Sequence, residues 1–146
     1  GDARGGDAFR WIAPGDEAAA TEDFRRIDTV VRGEALYSEP RLTRPEVAAA
    51  AGLGERAVSR AIKTATGRNF NDYINSLRIE DVCAMMQEDA RAGTAQRVID
   101  LAFTAGFSSK SVFNAVFKRE TGETPSAYAA GLRRGEDGPV SGIRSA

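Results

Sequence analysis

At 146 residues the chain holds one domain of ordinary size or two very small ones, and its shares of hydrophobic (42%) and charged (28%) residues are those of a soluble globular protein. No apolar run approaches the roughly 20 residues needed to cross a bilayer and no secretory leader opens the chain, while a single cysteine, Cys83, excludes an internal disulfide framework, so the expected location is the cytoplasm. The net charge of −1 and pI of about 5.6 speak mildly against a nucleic-acid partner, but the charge is divided: residues 1–40 carry nine acids and five bases (−4), residues 41–146 twelve acids and fifteen bases (+3).

Residues 1–20 are rich in Gly, Ala and Asp, with one apolar cluster at Phe9, Trp11 and Ile12, and read as a linker or flexible N-terminal segment. A first helix is expected over 21–37, with Phe24, Ile27, Val30, Val31 and Leu36 as its apolar stripe. Thr43 caps a second, short helix, with Glu46 as its capping-box partner and Pro45 in the first turn; it ends at Gly52. A third helix runs over 55–66 and stops at Gly67, and a longer fourth starts after Asn69 and continues to about 87. The polar stretch 88–96, with Gly93, reads as a loop. A fifth helix covers 97–105 and ends at Gly106. Ser108 caps a sixth, which continues to Thr121 and stops at Gly122, and Thr124 caps a seventh with Pro125 at its first position. The tail 135–146 is Gly-, Pro- and Ser-rich. The fold class is all-α, with about seven helices.

The chain repeats itself. Ala51-Gly52-Leu53-Gly54 lies over Ala105-Gly106-Phe107-Ser108 and Val58 over Val112, at an offset of 54; Thr66-Gly67 lies over Thr121-Gly122 and Tyr73 over Tyr128, at an offset of 55. Each copy is a short helix, a glycine turn and a longer helix, the sequence form of helix-turn-helix. Leu53 or Phe107 plugs the angle between the two helices. The helix between the copies turns Phe70, Tyr73, Ile74 and Leu77 toward the first unit, and Ile79, Val82, Cys83 and Met86 toward the second. Roughly 17 residues at 1.5 Å span about 25 Å. With the half-width of each unit, the two longer helices reach about the 34 Å repeat of B-DNA. The expected organisation is a first unit with its joining helix over 21–87 and a second over 88–134.

The stretch Gly106-Phe107-Ser108-Ser109-Lys110-Ser111-Val112-Phe113-Asn114, continued by Phe117-Lys118, Thr121-Gly122 and Thr124-Pro125-Ser126-Ala127-Tyr128, resembles the DNA-binding domain of the AraC/XylS family of transcription regulators. Leu101-Ala102 and Leu77-Arg78-Ile79 strengthen the likeness, which covers about 42–132. It implies a promoter-binding regulator, usually an activator, with double-stranded DNA and RNA polymerase as partners. It also implies an effector or sensor domain outside this chain, unless the chain belongs with the small stand-alone members. Residues 69–75 are similar to a subgroup whose DNA-binding domain follows a membrane-embedded sensor, which would make this segment the cytoplasmic part of a membrane-anchored regulator without membrane contact of its own.

The third helix should bury Val58, Ala61, Ile62 and Ala65 and present Arg56, Ser59, Arg60 and Lys63. The resemblance places base reading on Arg56, Ser59 and Arg60. Arg60 is the first choice, because a guanidinium can meet guanine O6 and N7 together; Lys63 suits phosphate. The sixth helix should bury Val112, Phe113, Val116 and Phe117 and present Lys110, Ser111, Asn114, Ala115 and Lys118. Asn114 suits adenine, while Ser108 and Ser109 suit a phosphate at the helix N-terminus. Ala115 stands where many relatives carry Arg, so this unit is expected to act more through phosphates and shape. Arg68 and Arg119 add to the two basic segments. Gly52-Leu53-Gly54-Glu55-Arg56-Ala57 imitates a dinucleotide-binding turn, but that turn needs a preceding strand and 47–51 reads as helix. No histidine and one cysteine leave no zinc site, Cys83 reads as core, and no nucleophile–base pair assembles, so neither catalysis nor a cofactor is expected. The alternative function is a helical module that binds RNA polymerase or another regulator.

Overall fold

The structure, a computed structural model, describes residues 14–135, and among these it is all-α: seven α-helices, one 3₁₀ turn and no strand. Helix α1 (Pro14–Gly33) carries Asp16 and Glu17 in its first turn and Arg32 in its last, the charge order that complements the helix dipole. It begins before, and ends earlier than, the 21–37 expected from sequence. The segment 14–20 is helical rather than linker, and Ala20 already reaches the core at 4% exposure. Leu36 lies beyond α1, in a 3₁₀ turn (Leu36–Ser38) entered through Ala35 in the left-handed region (φ 52°). The cluster Phe9, Trp11 and Ile12 and the tail from 136 lie outside the described residues.

Helix α2 (Arg44–Ala51) starts at the expected capping box: Thr43 Oγ1 accepts from the Glu46 amide, and Glu46 Oε1 accepts from the Thr43 amide at 2.9 Å. Gly52 ends it at φ 71°, and α3 (Glu55–Thr66) follows after Gly54. Because α2 precedes the glycines, the Gly52–Ala57 pattern is no dinucleotide turn. Asn69 caps α4 (Phe70–Ala92) by accepting from the Asp72 amide at 2.8 Å. At 23 residues α4 is about 34 Å long and outruns its expected end near 87. Residues 88–92 are polar but favour helix, and an Arg91–Glu88 ion pair lies along them; the helix stops only where Gly93 turns left-handed. Helices α5 (Val98–Ala105), α6 (Lys110–Thr121) and α7 (Pro125–Arg133) complete the chain.

The buried apolar residues form two clusters that divide within α4. The first gathers Ile27 and Val31 of α1, Val47 of α2, Val58 and Ile62 of α3, and α4 up to Leu77. The second runs from Ile79 through α5 to α7 and is built on aromatics: Phe107–Phe113, Phe113–Phe117 and Phe117–Tyr128 have centroids 5.3, 5.6 and 5.5 Å apart. Burial of each such ring stabilises the fold by roughly 1.5–3 kcal/mol. Both apolar faces expected of α4 meet the cluster assigned to them.

Two expected core residues are exposed. Val112 is 46% exposed, because the buried arc of α6 centres on Phe113, Val116, Phe117 and Glu120 and leaves Val112 at its edge, facing a groove beside Leu42 and Phe70. Ala65 is exposed because the last turn of α3 stands clear of the core beyond Ile62. A close contact joins the two halves at Gly106 (φ 117°): a Cβ there would collide with the Tyr37 carbonyl oxygen and stand 2.7 Å from Arg78 Nε. Arg78, buried on α4, donates to Tyr37 O at 2.6 Å and Glu39 O at 2.9 Å, and its guanidinium carbon lies 5.8 Å from the centre of the Phe107 ring. Burial pulls its pKa below the ordinary arginine value, though the two carbonyls satisfy the charged form.

Candidate nucleic-acid interface

Helix α3 is sharply two-sided. Val58, Ala61 and Ile62 are fully buried, while Arg56, Arg60 and Lys63 are exposed. Arg56 and Arg60 have no ion-pair partner among the described residues, so both guanidiniums keep their five donors for water or a ligand. Lys63 Nζ donates to the Gly67 carbonyl at 3.2 Å, which favours the C-terminus of α3 but leaves the ammonium at the surface. Ser59 is half-buried, and its hydroxyl accepts from Arg44 Nη1 at 2.9 Å. Arg44 also donates to Glu55 Oε1 at 3.3 Å. Arg44 is thus a cation beside the α3 face that sequence reasoning passed over: the first turn of α2 had been read for its cap alone.

Helix α6 presents a milder face. Lys110, Ser111, Asn114, Ala115 and Lys118 are all exposed over buried Phe113, Val116 and Phe117. The cap of α6 is Ser109, not Ser108: Ser109 Oγ accepts from the Val112 amide at 3.2 Å, while Ser108 stands exposed one residue outside. The helix therefore begins at Lys110, and the Ser109 hydroxyl is committed to the helix rather than open to a phosphate. An open groove of about 820 Å³ flanks this face, with Lys110, Asn114 and Lys118 on one wall and the starts of α5 (Val98, Ile99) and α7 (Pro125) on the others.

The basic tally shrinks when partners are counted. Arg68 forms a two-pronged ion pair with Glu120, with Nη1–Oε2 at 2.7 Å and Nη2–Oε1 at 3.0 Å. The Glu120 side chain is 2% exposed and that of Arg68 24%. This hydrogen bonding raises the Arg68 pKa above its ordinary value. Arg119 is drawn to Glu120 at 3.4 Å and to Asp72 at 3.7 Å. Arg68 is thus committed inside the protein, whereas Arg119, half-exposed, is held only at the surface. Cys83 is buried on α4, and desolvation pushes its thiol up to about 12, so it is no thiolate at neutral pH.

A family model described as a helix-turn-helix domain matches residues 47–131, more than half of the chain and both helix–turn–helix pairs. The chain belongs to the AraC/XylS family. That family consists of DNA-binding transcription regulators. Transcriptional regulator Rob of Salmonella typhimurium is 28% identical over 119 residues, which cover 79% of this chain and 38% of that protein. The HTH-type transcriptional activator RhaR of Yersinia pseudotuberculosis is 30% identical over 76 residues, 52% of this chain and 24% of that protein. The chain thus spans less than two fifths of the length of these curated relatives. In fold it resembles a protein of unknown function from Listeria innocua, with a TM-score of 0.59 at 18% identity over 78% of this chain and 97% of that one. Among the described residues no helix is long and apolar enough to cross a membrane. For this AraC/XylS member the exposed sides of α3 and α6, the second and longer helices of the two pairs, form the candidate interface.

Proposed function

We propose that the chain binds a promoter in a sequence-specific way, with α3 and α6 entering adjacent major grooves of one duplex. It would act as an activator, the activity that the name of RhaR states for that relative. The observation that carries this reading is the α3 face: two guanidiniums without an ion pair among the described residues, Arg56 and Arg60, stand opposite a fully buried stripe. Arg60 reads guanine through its fork, Arg56 a neighbouring base, and Ser59 contributes once Arg44 turns to a phosphate. On α6, Asn114 reads adenine and Lys110 and Lys118 hold phosphates, with Ser108 and Ser111 at the rim; a sugar–phosphate strand would run through the groove beside α7. The first subdomain is α1–α3 with α4 up to Leu77 and the second is α4 from Ile79 with α5–α7; the location is the cytoplasm, and an effector or sensor domain lies outside this segment.

Selection from random DNA followed by anisotropy titration against salt tests this. Affinity should fall steeply with rising salt, as counterion release demands. Arg60→Ala should cost about 1–3 kcal/mol and relax preference at one base pair. Equal weakening on every sequence would reassign Arg60 to the backbone. A second reading, docking to RNA polymerase, is favoured by Phe103, which is 48% exposed on α5. Polymerase added to the DNA complex should then slow its migration further; a module for protein partners alone would show no DNA binding and no salt slope.

A further inference from the structure

The two ends of α6 are each tied to the first half of the molecule. Before its N-terminus, the Gly106–Phe107 turn presses on the Tyr37 carbonyl and on Arg78. In its last turn Glu120 meets Arg68, which follows directly on Gly67 at the end of α3 and is 52 residues away in sequence. A helix held at one point can still swing about it; a helix held near both ends cannot. The second tie is unusual in its chemistry, because Glu120 lies almost fully buried on the same face as Phe113, Val116 and Phe117. An apolar side chain there would be no worse for stability, since a buried ion pair barely recovers its desolvation. What the pair adds is direction: a guanidinium and a carboxylate joined by two parallel hydrogen bonds accept a narrow range of angles.

We propose that Arg68 and Glu120 are positioning residues that set the register between α3 and α6, and so make the protein selective for the spacing of its two half-sites. The inference rests on the reading that both helices enter DNA. Neither residue needs to touch the duplex. One base pair inserted between the half-sites moves the second by about 3.4 Å along the axis and about 35° around it. A locked α6 cannot follow that displacement; an α6 released at its C-terminal end can.

The test uses the 146-residue chain and its selected site. Dissociation constants are measured on four duplexes: intact, one base pair inserted, one deleted, and second half-site scrambled. The unmutated chain should lose at least about 30-fold on either spacing change, as for misplacing several base contacts. Arg68→Met combined with Glu120→Leu, which replaces the pair by apolar side chains, should keep its melting transition and its affinity for the intact duplex within about 3-fold, while the spacing penalty falls below about 5-fold. The exchanged pair, Arg68→Glu with Glu120→Arg, should restore part of the penalty. An apolar variant that is folded yet keeps the full spacing penalty overturns the proposal. Tight binding of the unmutated chain to the scrambled duplex overturns the two-helix reading itself, and the proposal with it.

Discussion

The two helix–turn–helix pairs share a plan and divide the work differently. In the first, small and aliphatic side chains (Val47, Ala48, Ala51, Val58, Ala61, Ile62) pack under the additional cover of α1, and the outer face of α3 holds Arg56 and Arg60 without an ion pair among the described residues. In the second, the shorter α7 is the added helix, and a chain of rings from Phe107 to its Tyr128 fills the volume. Its one arginine on α6, Arg119, is held by Asp72 and Glu120, and its outer face offers lysines, serine, alanine and asparagine. Here the first copy carries the side chains suited to reading bases, and the second carries the ties that fix its own orientation.

The largest expected effect falls on the aromatic chain. Phe117 is fully buried between Phe113 and Tyr128, so Phe117→Ala should cost about 3–5 kcal/mol in urea unfolding. Hydrogen exchange should show the amides of α5–α7 losing protection before those of α2 and α3. Equal loss in both halves would mean that the two clusters unfold as one, and the contrast between them would lapse.

The turn glycines sharpen the comparison. Gly52 and Gly106 occupy equivalent positions, both with positive φ, yet their surroundings differ. A Cβ on Gly52 meets only the end of the Arg26 side chain, at 2.8 Å, whereas one on Gly106 meets the Tyr37 backbone. Gly52→Ala should therefore cost about 1–2 kcal/mol of backbone strain. Gly106→Ala should cost about 2–5 kcal/mol, because overpacking against an immovable carbonyl adds to the strain. Thermal melts of the two variants rank them, and equal costs would mean that the contact with Tyr37 relaxes freely.

The smallest effect is on DNA. Asn114→Ala should weaken binding by about 0.5–1 kcal/mol, below the cost of Arg60→Ala, because a neutral amide contact is worth less than a guanidinium fork. Titrations on the selected site decide the order. A larger loss at Asn114 would move the reading role to the second copy.

Much of the fold was legible because its signals are local. A capping box, a glycine after the last turn and a 3.6-residue apolar period are set by residues within four or five positions of each other, and these signals located α2, α3, α5 and α7 and the cores that α4 joins. Two differences are local, the cap of α6 at Ser109 and the run of α4 to Ala92, and the others arise where a neighbouring element decides. The exposure of Val112 and Ala65 reflects which turns of α6 and α3 their partners cover. For the candidate interface, residue type and helix period named Arg56, Arg60 and Lys63, whereas Arg44 was overlooked because its place beside Ser59 is a contact between helices.

Sequence alone was enough to establish an all-helical chain of the AraC/XylS kind with two similar units, since helix ends, periodicity and the repeat are written in consecutive residues. Which cations remain open to a ligand was decided by the tertiary structure. Arg68 and Arg119 count as basic in any tally of the chain, but packing brings Arg68 to Glu120, Arg119 to Asp72, and Arg78 to the carbonyls of Tyr37 and Glu39. The energy of a charge depends on what lies within a few ångströms of it, and those neighbours are chosen by the fold rather than by position along the chain.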